Sequence, residues 1–329
     1  MSDCSGTPMV DRLSTVSLIR SADVWEHAHR LPGWTVEYEQ LSAGRFEGTL
    51  THIQLNHMQI MRDKANVALL KRGQAFPDAV VFSLPVSAAG DGRYVGQPLC
   101  PPSFLLSNGN DLPELCTPSA LDLICVAIDR PWLVERALTL GYDLTARRSL
   151  LNSRLMMIPE PAMQQLHTMF TAIFDDLAAL STALSHVSSR HALENALAET
   201  LLSVLCSDEE PVGQYQIATP YKRIADKARI FALTAVGQQP TIPDICSHLG
   251  ISRRKLQICF QESYGFSPNQ FLRILRLNGV RDDLRKASGP ISIGDVAARW
   301  GFWHWSRFSG DYQDFFGELP SQTVRRLRP

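Results

Sequence analysis

Two short stretches near the C-terminus carry side chains suited to the edges of base pairs. The first, Ser252-Arg-Arg-Lys-Leu-Gln257, sets two guanidiniums, an ammonium and a carboxamide within six residues. Arginine pairs through two hydrogen bonds with guanine and glutamine with adenine, so Arg254 and Gln257 are the expected base readers. Arg253 fits a base or a phosphate equally well. The second stretch, Trp303-His-Trp-Ser-Arg307, offers aromatic bulk and one guanidinium. That chemistry suits groove shape and thymine methyl groups more than charge.

Both stretches occupy the same place in a repeated pattern. Thr241-Ile-Pro-Asp-Ile-Cys-Ser-His-Leu-Gly-Ile251 returns 51 residues later as Ser292-Ile-Gly-Asp-Val-Ala-Ala-Arg-Trp-Gly-Phe302. Each copy opens with a hydroxyl residue and an Asp three positions on, which predicts a capping box with Asp in place of Glu. Each closes on a glycine, Gly250 or Gly301, able to take the left-handed turn. Helices are then expected over 252–264 and 304–316, giving helix, tight turn, helix twice over. With one extra residue in the second turn, Leu256 aligns with Phe308, Phe260 with Tyr312, Tyr264 with Phe316, Gly265 with Gly317 and Pro268 with Pro320.

Placing those aromatic positions in two small cores leaves Ser252, Arg253, Arg254, Gln257 and Ile258 toward a groove in unit one. In unit two it leaves Trp303, His304, Trp305, Ser306, Arg307 and Ser309, with at least one tryptophan expected in the core. Lys255, Arg276, Arg281, Arg299, Arg325 and Arg326 are the expected phosphate neutralisers. Between the repeats, Pro268 to Lys286 reads as one helix capped by Ser267. At ~1.5 Å per residue it extends ~28 Å. That approaches the ~34 Å between successive major grooves on one face of DNA.

Charge supports this division. Residues 219–329 hold 17 Lys and Arg against 9 Asp and Glu, while the remainder holds 15 against 24. A basic C-terminal third suits a polyanion and an acidic remainder does not. The seven cysteines (Cys4, Cys100, Cys116, Cys125, Cys206, Cys246, Cys259) are scattered and odd in number, which predicts reduced thiols in a cytoplasm rather than disulfides or structural zinc. No apolar run approaches ~20 residues, so neither a membrane span nor a membrane partner is expected.

From Phe46 to Ile128, short apolar runs such as 80–84 and 121–128 alternate with Gly/Pro turns, which predicts a small β-barrel or sandwich able to enclose a ligand. Trp34, Tyr38, Phe46 and Phe82 are the aromatic residues expected to line its pocket, each with core packing as the plainer alternative. His52, His57 and Glu47 lie close in sequence but form no compact metal-ligand set. Without Walker, GxSxG or HExxH motifs, an enzyme is not expected; a metal-holding enzyme fused to a DNA-binding domain is the distant alternative.

A helical segment follows. Met163, Leu166, Phe170, Ile173, Leu177, Leu180 and Leu184 are spaced alternately three and four apart, an a/d seam. Leu166, Phe170, Ile173, Leu177 and Leu180 are the expected contacts of a homodimer, with packing against the barrel as the alternative. The boundaries read as an effector domain over 1–158, a helical dimerisation segment over 159–207, a linker over 208–219 and a DNA-binding domain over 220–329. The fold class is α+β: a β-barrel domain followed by an all-α domain.

The tandem units, their joining helix and the closing Phe316-Gly317-Glu-Leu-Pro320 resemble the bacterial AraC/XylS family of transcription regulators, over about residues 221–326. The resemblance implies a cupin-like sensor domain, dimerisation, and recruitment of RNA polymerase to double-stranded DNA. Gly310 stands where that family often has arginine, removing one expected DNA contact. Asp23-Val-Trp-Glu-His-Ala28 and Gln40-Leu-Ser-Ala-Gly-Arg-Phe-Glu-Gly48 are similar to the ethanolamine-utilisation activators within it. This narrower resemblance implies control by ethanolamine with cobalamin; another metabolite or a fatty acid is the alternative effector.

Overall fold

The computed structural model describes residues 15–88, 92–99, 103–144, 152–206, 212–215, 218–235, 237, 239–287 and 292–327. Its N-terminal half holds two antiparallel sheets. The larger comprises β1 (Thr15–Ser21), β3 (Gly48–Gln54), β4 (Met58–Ala65), β11 (Leu121–Asp129), β6 (Ala79–Ala88), β9 (Ser103–Asn108), β12 (Arg154–Met157) and β13 (Val212–Tyr215), in that spatial order. The smaller comprises β2 (Thr35–Gln40), β5 (Leu69–Gln74), β10 (Leu112–Cys116), β7 (Arg93–Tyr94) and β8 (Gln97–Pro98). This is an arrangement of two open sheets. Of the expected barrel or sandwich, the described residues form the sandwich, because β1 and β13 each end the larger sheet without pairing onward.

The central strands of the larger sheet are buried on both faces, which is why they read as continuous apolar runs rather than alternating ones. Along β6, Val81 and Ser83 face the smaller sheet, whereas Val80, Phe82 and Leu84 join the core beneath the helices. Those helices are α2 (Arg130–Thr139), α3 (Glu160–Asp175), α4 (Leu177–Ala183) and α5 (Val187–Leu205). Leu166, Phe170 and Ile173 are buried in that same core, with Leu177 and Leu180 packed half-buried against it. The expected dimer seam is therefore spent inside the chain. It is also discontinuous, since Asp176 leaves helical geometry and caps α4 through the amides of Ala178 and Ala179. An a/d spacing records only that one helix stripe is apolar, and a sheet covers such a stripe as well as a second copy does.

Part of the expected linker belongs to the sandwich, because β13 pairs with β12. Residues 207–211, 216 and 217 lie outside the described residues, as do Cys4 and Cys100. Cys116, Cys125, Cys246 and Cys259 are free thiols. Among the described residues no group of three or more His, Cys, Asp or Glu side chains is placed to hold a metal, and no helix is long and apolar enough to cross a membrane.

The C-terminal half is helical: α6 (Pro220–Thr234), α7 (Ile242–Leu249), α8 (Arg253–Tyr264), α9 (Pro268–Lys286), α10 (Ile293–Arg299), α11 (Trp305–Phe316) and α12 (Pro320–Leu327). It has two cores. Ala225, Ala228, Ile245, Leu256, Phe260, Tyr264 and Phe271 fill the first, together with Leu41, Leu70 and Cys116 of the sandwich. Val280, Leu284, Val296, Phe308, Tyr312 and Phe316 fill the second. Gly279 lies in α9 where the Trp300 ring crosses: a Cβ there would stand 2.2 Å from the indole.

His52 on β3 is 3 % exposed, and burial lowers its pKa to about 4 from the ordinary 6.5. The unfolded chain then binds a proton that the folded chain refuses, so stability falls as pH drops from 6.5 through about 4. We expect His52→Gln to flatten the melting temperature across that window; an unchanged slope would assign the acid sensitivity to other groups.

Candidate nucleic-acid interface

The first unit is built around its caps. Thr241 donates its N–H to Asp244 Oδ2 at 2.8 Å and completes the expected box, and Gly250 ends α7 at φ +63°. Ser252 then caps α8 by accepting from the Lys255 N–H at 3.2 Å. Leu256, Cys259 and Phe260 turn into the core, so Ser252, Arg253, Arg254, Gln257 and Ile258 all lie exposed along the opposite face. The Lys255 ammonium sits over the Tyr221 ring at 4.4 Å.

The second unit repeats this with variations. Ser292 accepts from the Asp295 N–H at 3.1 Å, and Gly301 takes φ +88° directly after Trp300. His304 precedes α11, whose Phe308, Tyr312 and Phe316 are buried as the alignment with Leu256, Phe260 and Tyr264 requires. His304, Ser306 and Arg307 are exposed, and Ser309 is half-buried. The expectation that Trp303 or Trp305 enters the core is corrected, since they are 70 % and 52 % exposed. The core indole of this unit is Trp300, whose Nε1 donates to Asp283 of α9 at 2.8 Å. Trp303 instead donates to Gln239 at 3.1 Å, and Gln239 donates to the Ala298 carbonyl at 3.0 Å. This strap joins the units beside a groove of about 430 Å3 lined by Thr241, Asn269, Arg273, His304 and Arg307.

Several expected phosphate neutralisers are committed elsewhere. Arg276 donates to the Pro240 carbonyl at 3.0 Å, and Arg299 pairs with Asp283 at 3.1 Å. Arg281 and Arg326 both grip Asp23, each at 3.0 Å, and both also reach Glu318. Asp23 belongs to the sandwich half and is 2 % exposed. Burial alone would raise its pKa, but the Arg281 charge, with hydrogen bonds from Arg281, the Glu26 amide and Arg326, holds it below the ordinary value. It also caps α1 (Val24–Ala28) through the amides of Trp25 and Glu26.

The same domain junction holds further pairs. Arg229 meets Glu39 at 2.5 Å, and the buried Lys222 meets Glu114 at 2.7 Å and also Asp226. Burial works against the Lys222 charge, yet those two carboxylates raise its pKa. Asn278 of α9 closes two hydrogen bonds with the Gln40 backbone, at 2.8 and 3.1 Å.

Between the two sheets lies a cavity of about 80 Å3, whose walls include Trp34 and Tyr38. Phe46 and Phe82 do not line it: Phe46 packs with Val24 and Leu69, and Phe82 faces the helices. The buried group that sequence reasoning missed is Asp63, which accepts from Lys71 at 2.5 Å and His27 at 2.9 Å. Burial alone would raise the Asp63 pKa, but the charges and hydrogen bonds of Lys71 and His27 hold it well below the carboxylate range. His27 lies on α1, one turn from Asp23, so one short helix touches both the cavity cluster and the junction. The only sequence trace was a charge at an inward strand position, hidden among Arg62, Lys64 and Arg72.

Paired caps, paired cores and two exposed second helices define a double helix-turn-helix DNA-binding domain. Residues 245–326 match a family model described as a helix-turn-helix domain. The probable thc operon regulatory protein of Rhodococcus erythropolis is 37 % identical over 136 residues, 40 % of this chain and 41 % of that protein. The XylDLEGF operon transcriptional activator of Pseudomonas putida is 35 % identical over 79 residues, 24 % of this chain and 25 % of that protein. A solved structure of a probable AraC family transcriptional regulator from Rhodopseudomonas palustris is 31 % identical and covers 32 % of this chain and 99 % of that one, with a TM-score of 0.30. The chain belongs to the AraC/XylS family of transcription regulators. It spans less than half the length of these curated relatives.

Gly310 lies inside α11 with nothing within 4 Å of its would-be Cβ. Gly310→Ala should stabilise the domain by about 1 kcal/mol. Gly310→Arg should raise affinity for duplex DNA and steepen its salt dependence by about one counterion. Anisotropy titrations at several salt concentrations check the second, and unchanged slopes would place this face away from the phosphates.

Proposed function

We propose that the chain is a transcription activator that reads duplex DNA with both units and answers to a small molecule held in the sandwich. The observation that carries the reading is the pair of exposed helix faces, Arg253–Gln257 and Trp303–Arg307, held on opposite ends of α9. Arg254 and Gln257 read bases in unit one, and Arg253 reads a base or neutralises a phosphate. Trp303, His304, Trp305, Ser306, Arg307 and Ser309 follow groove shape in unit two. RNA polymerase and a second copy of the chain complete the proposed partners, with dimerisation assigned to a surface other than the internal seam.

Control runs through α1. Its His27 touches the cavity cluster, while its capping Asp23 fixes Arg281 of α9 and Arg326 of α12. A molecule that shifts His27 thereby shifts the anchor of both helices. The cobalamin implied by the narrower resemblance does not fit this cavity, since about 80 Å3 is far too little for a corrin ring.

On a site selected from random duplexes, Arg254→Ala and Gln257→Ala should each weaken specific binding by about 1–3 kcal/mol. Affinity unchanged by both replacements would move the reading helix elsewhere. Asp23→Asn should leave effector binding intact while DNA affinity no longer changes on adding effector; titrations of DNA with and without effector test this directly.

A further inference from the structure

From the cavity walls we infer that the effector is a short monocarboxylate, seated with its charged end on Lys71 and its tail among the leucine and valine side chains of the two sheets. The inference rests on the effector-controlled reading above for its regulatory meaning, but not for the binding itself.

Three observations support it. Lys71 is 7 % exposed and lines the cavity, yet its ammonium has one hydrogen-bond partner among the described residues, Asp63 at 2.5 Å. The Tyr38 ring covers another side at 4.6 Å. An ammonium carries three N–H donors, so donor capacity remains for an acceptor that the protein itself does not supply. Lys71 therefore gives the polar side of this cavity spare donor capacity.

Asp63 is in the opposite condition. It already accepts from Lys71 and from His27. An amine would have to displace one of these donors and sit beside the Lys71 ammonium in a buried setting, where like charges repel strongly. A carboxylate also lies near Asp63, but the Lys71 ammonium sits between the two and its remaining N–H donors form charge-assisted hydrogen bonds with the ligand. This turns the expected class from the amine implied by the narrower resemblance to an anion.

Volume and lining set the rest of the molecule. The remaining walls include Leu31, Val36, Leu50, Met61, Val81 and Leu123, which favour an apolar tail. An apolar cavity of about 150 Å3 holds benzene. At about 80 Å3, this one fits a chain of a few carbons and excludes a long fatty acid without rearrangement.

The test is thermal melting and calorimetric titration of the full chain with propionate, propylamine and propionamide at matched ionic strength. Propionate at about 100 times its dissociation constant should raise the melting temperature by roughly 5 °C, and propylamine should leave it unchanged. Lys71→Met should abolish the shift. Because that variant strands Asp63 and risks misfolding, Val81→Phe provides a second arm: it fills the cavity and leaves the ion pair in place. Protection by propylamine equal to that by propionate would overturn the ligand class. No protection by propionate, or protection that survives Val81→Phe, would overturn the site. DNA affinity of the same preparations is measured separately, so a chain that binds propionate but no DNA would refute the regulatory reading alone.

Discussion

One buried carboxylate ties the two halves of this molecule together. Asp23 is shared by Arg281 in the middle of the connecting helix and Arg326 in the last helix, and Glu318 completes the square. Removing one member of such a buried set leaves charges without partners, which costs far more than an exposed ion pair contributes. The apolar seam under Leu41, Leu70 and Cys116 supplies non-directional adhesion, whereas the ion cluster and the Gln40–Asn278 pair fix the angle. Both reading units therefore inherit their positions from the sandwich.

The opposite charges of the two halves take on a double meaning in this light. An excess of basic residues at the C-terminus suggests a polyanion, but much of it is met internally. Glu39 takes Arg229, Glu114 takes Lys222 and Asp23 takes two arginines. The basic surface left unpaired is narrower than composition implies. It includes the exposed Arg253 and Arg254 at the start of α8 and Arg307 at the start of α11.

The helical half was legible because its rules are local. A capping hydroxyl, an Asp three residues on, a turn glycine and aromatic residues four apart each act within one or two turns, so the repeat could be read directly. The boundaries of α9 came from Ser267 and Pro268 for the same reason. Other features depend on partners far away in the chain. The Asp63–Lys71 pair needs two strands in register across a sandwich, and Asp23 meets partners 258 and 303 positions later. The stripe through Leu166, Phe170 and Ile173 was visible, but its spacing is equally that of a dimer seam and of a helix lying on a sheet. Trp303 and Trp305 were misjudged because bulk was taken as a sign of burial, while Trp300 occupied the core position.

Gly279 has an implication for how this chain can change over generations. With no side chain there, the Trp300 indole lies directly on the backbone of α9 and sets how α10 and the helix after it lean away from unit one. A single methyl group at that point would act as a wedge and re-aim the second helix-turn-helix unit without touching any residue on its exposed face. The tilt between the two helix-turn-helix units is thus recorded in an absence, and drift at this one position would alter their relative pose while leaving every exposed side chain intact.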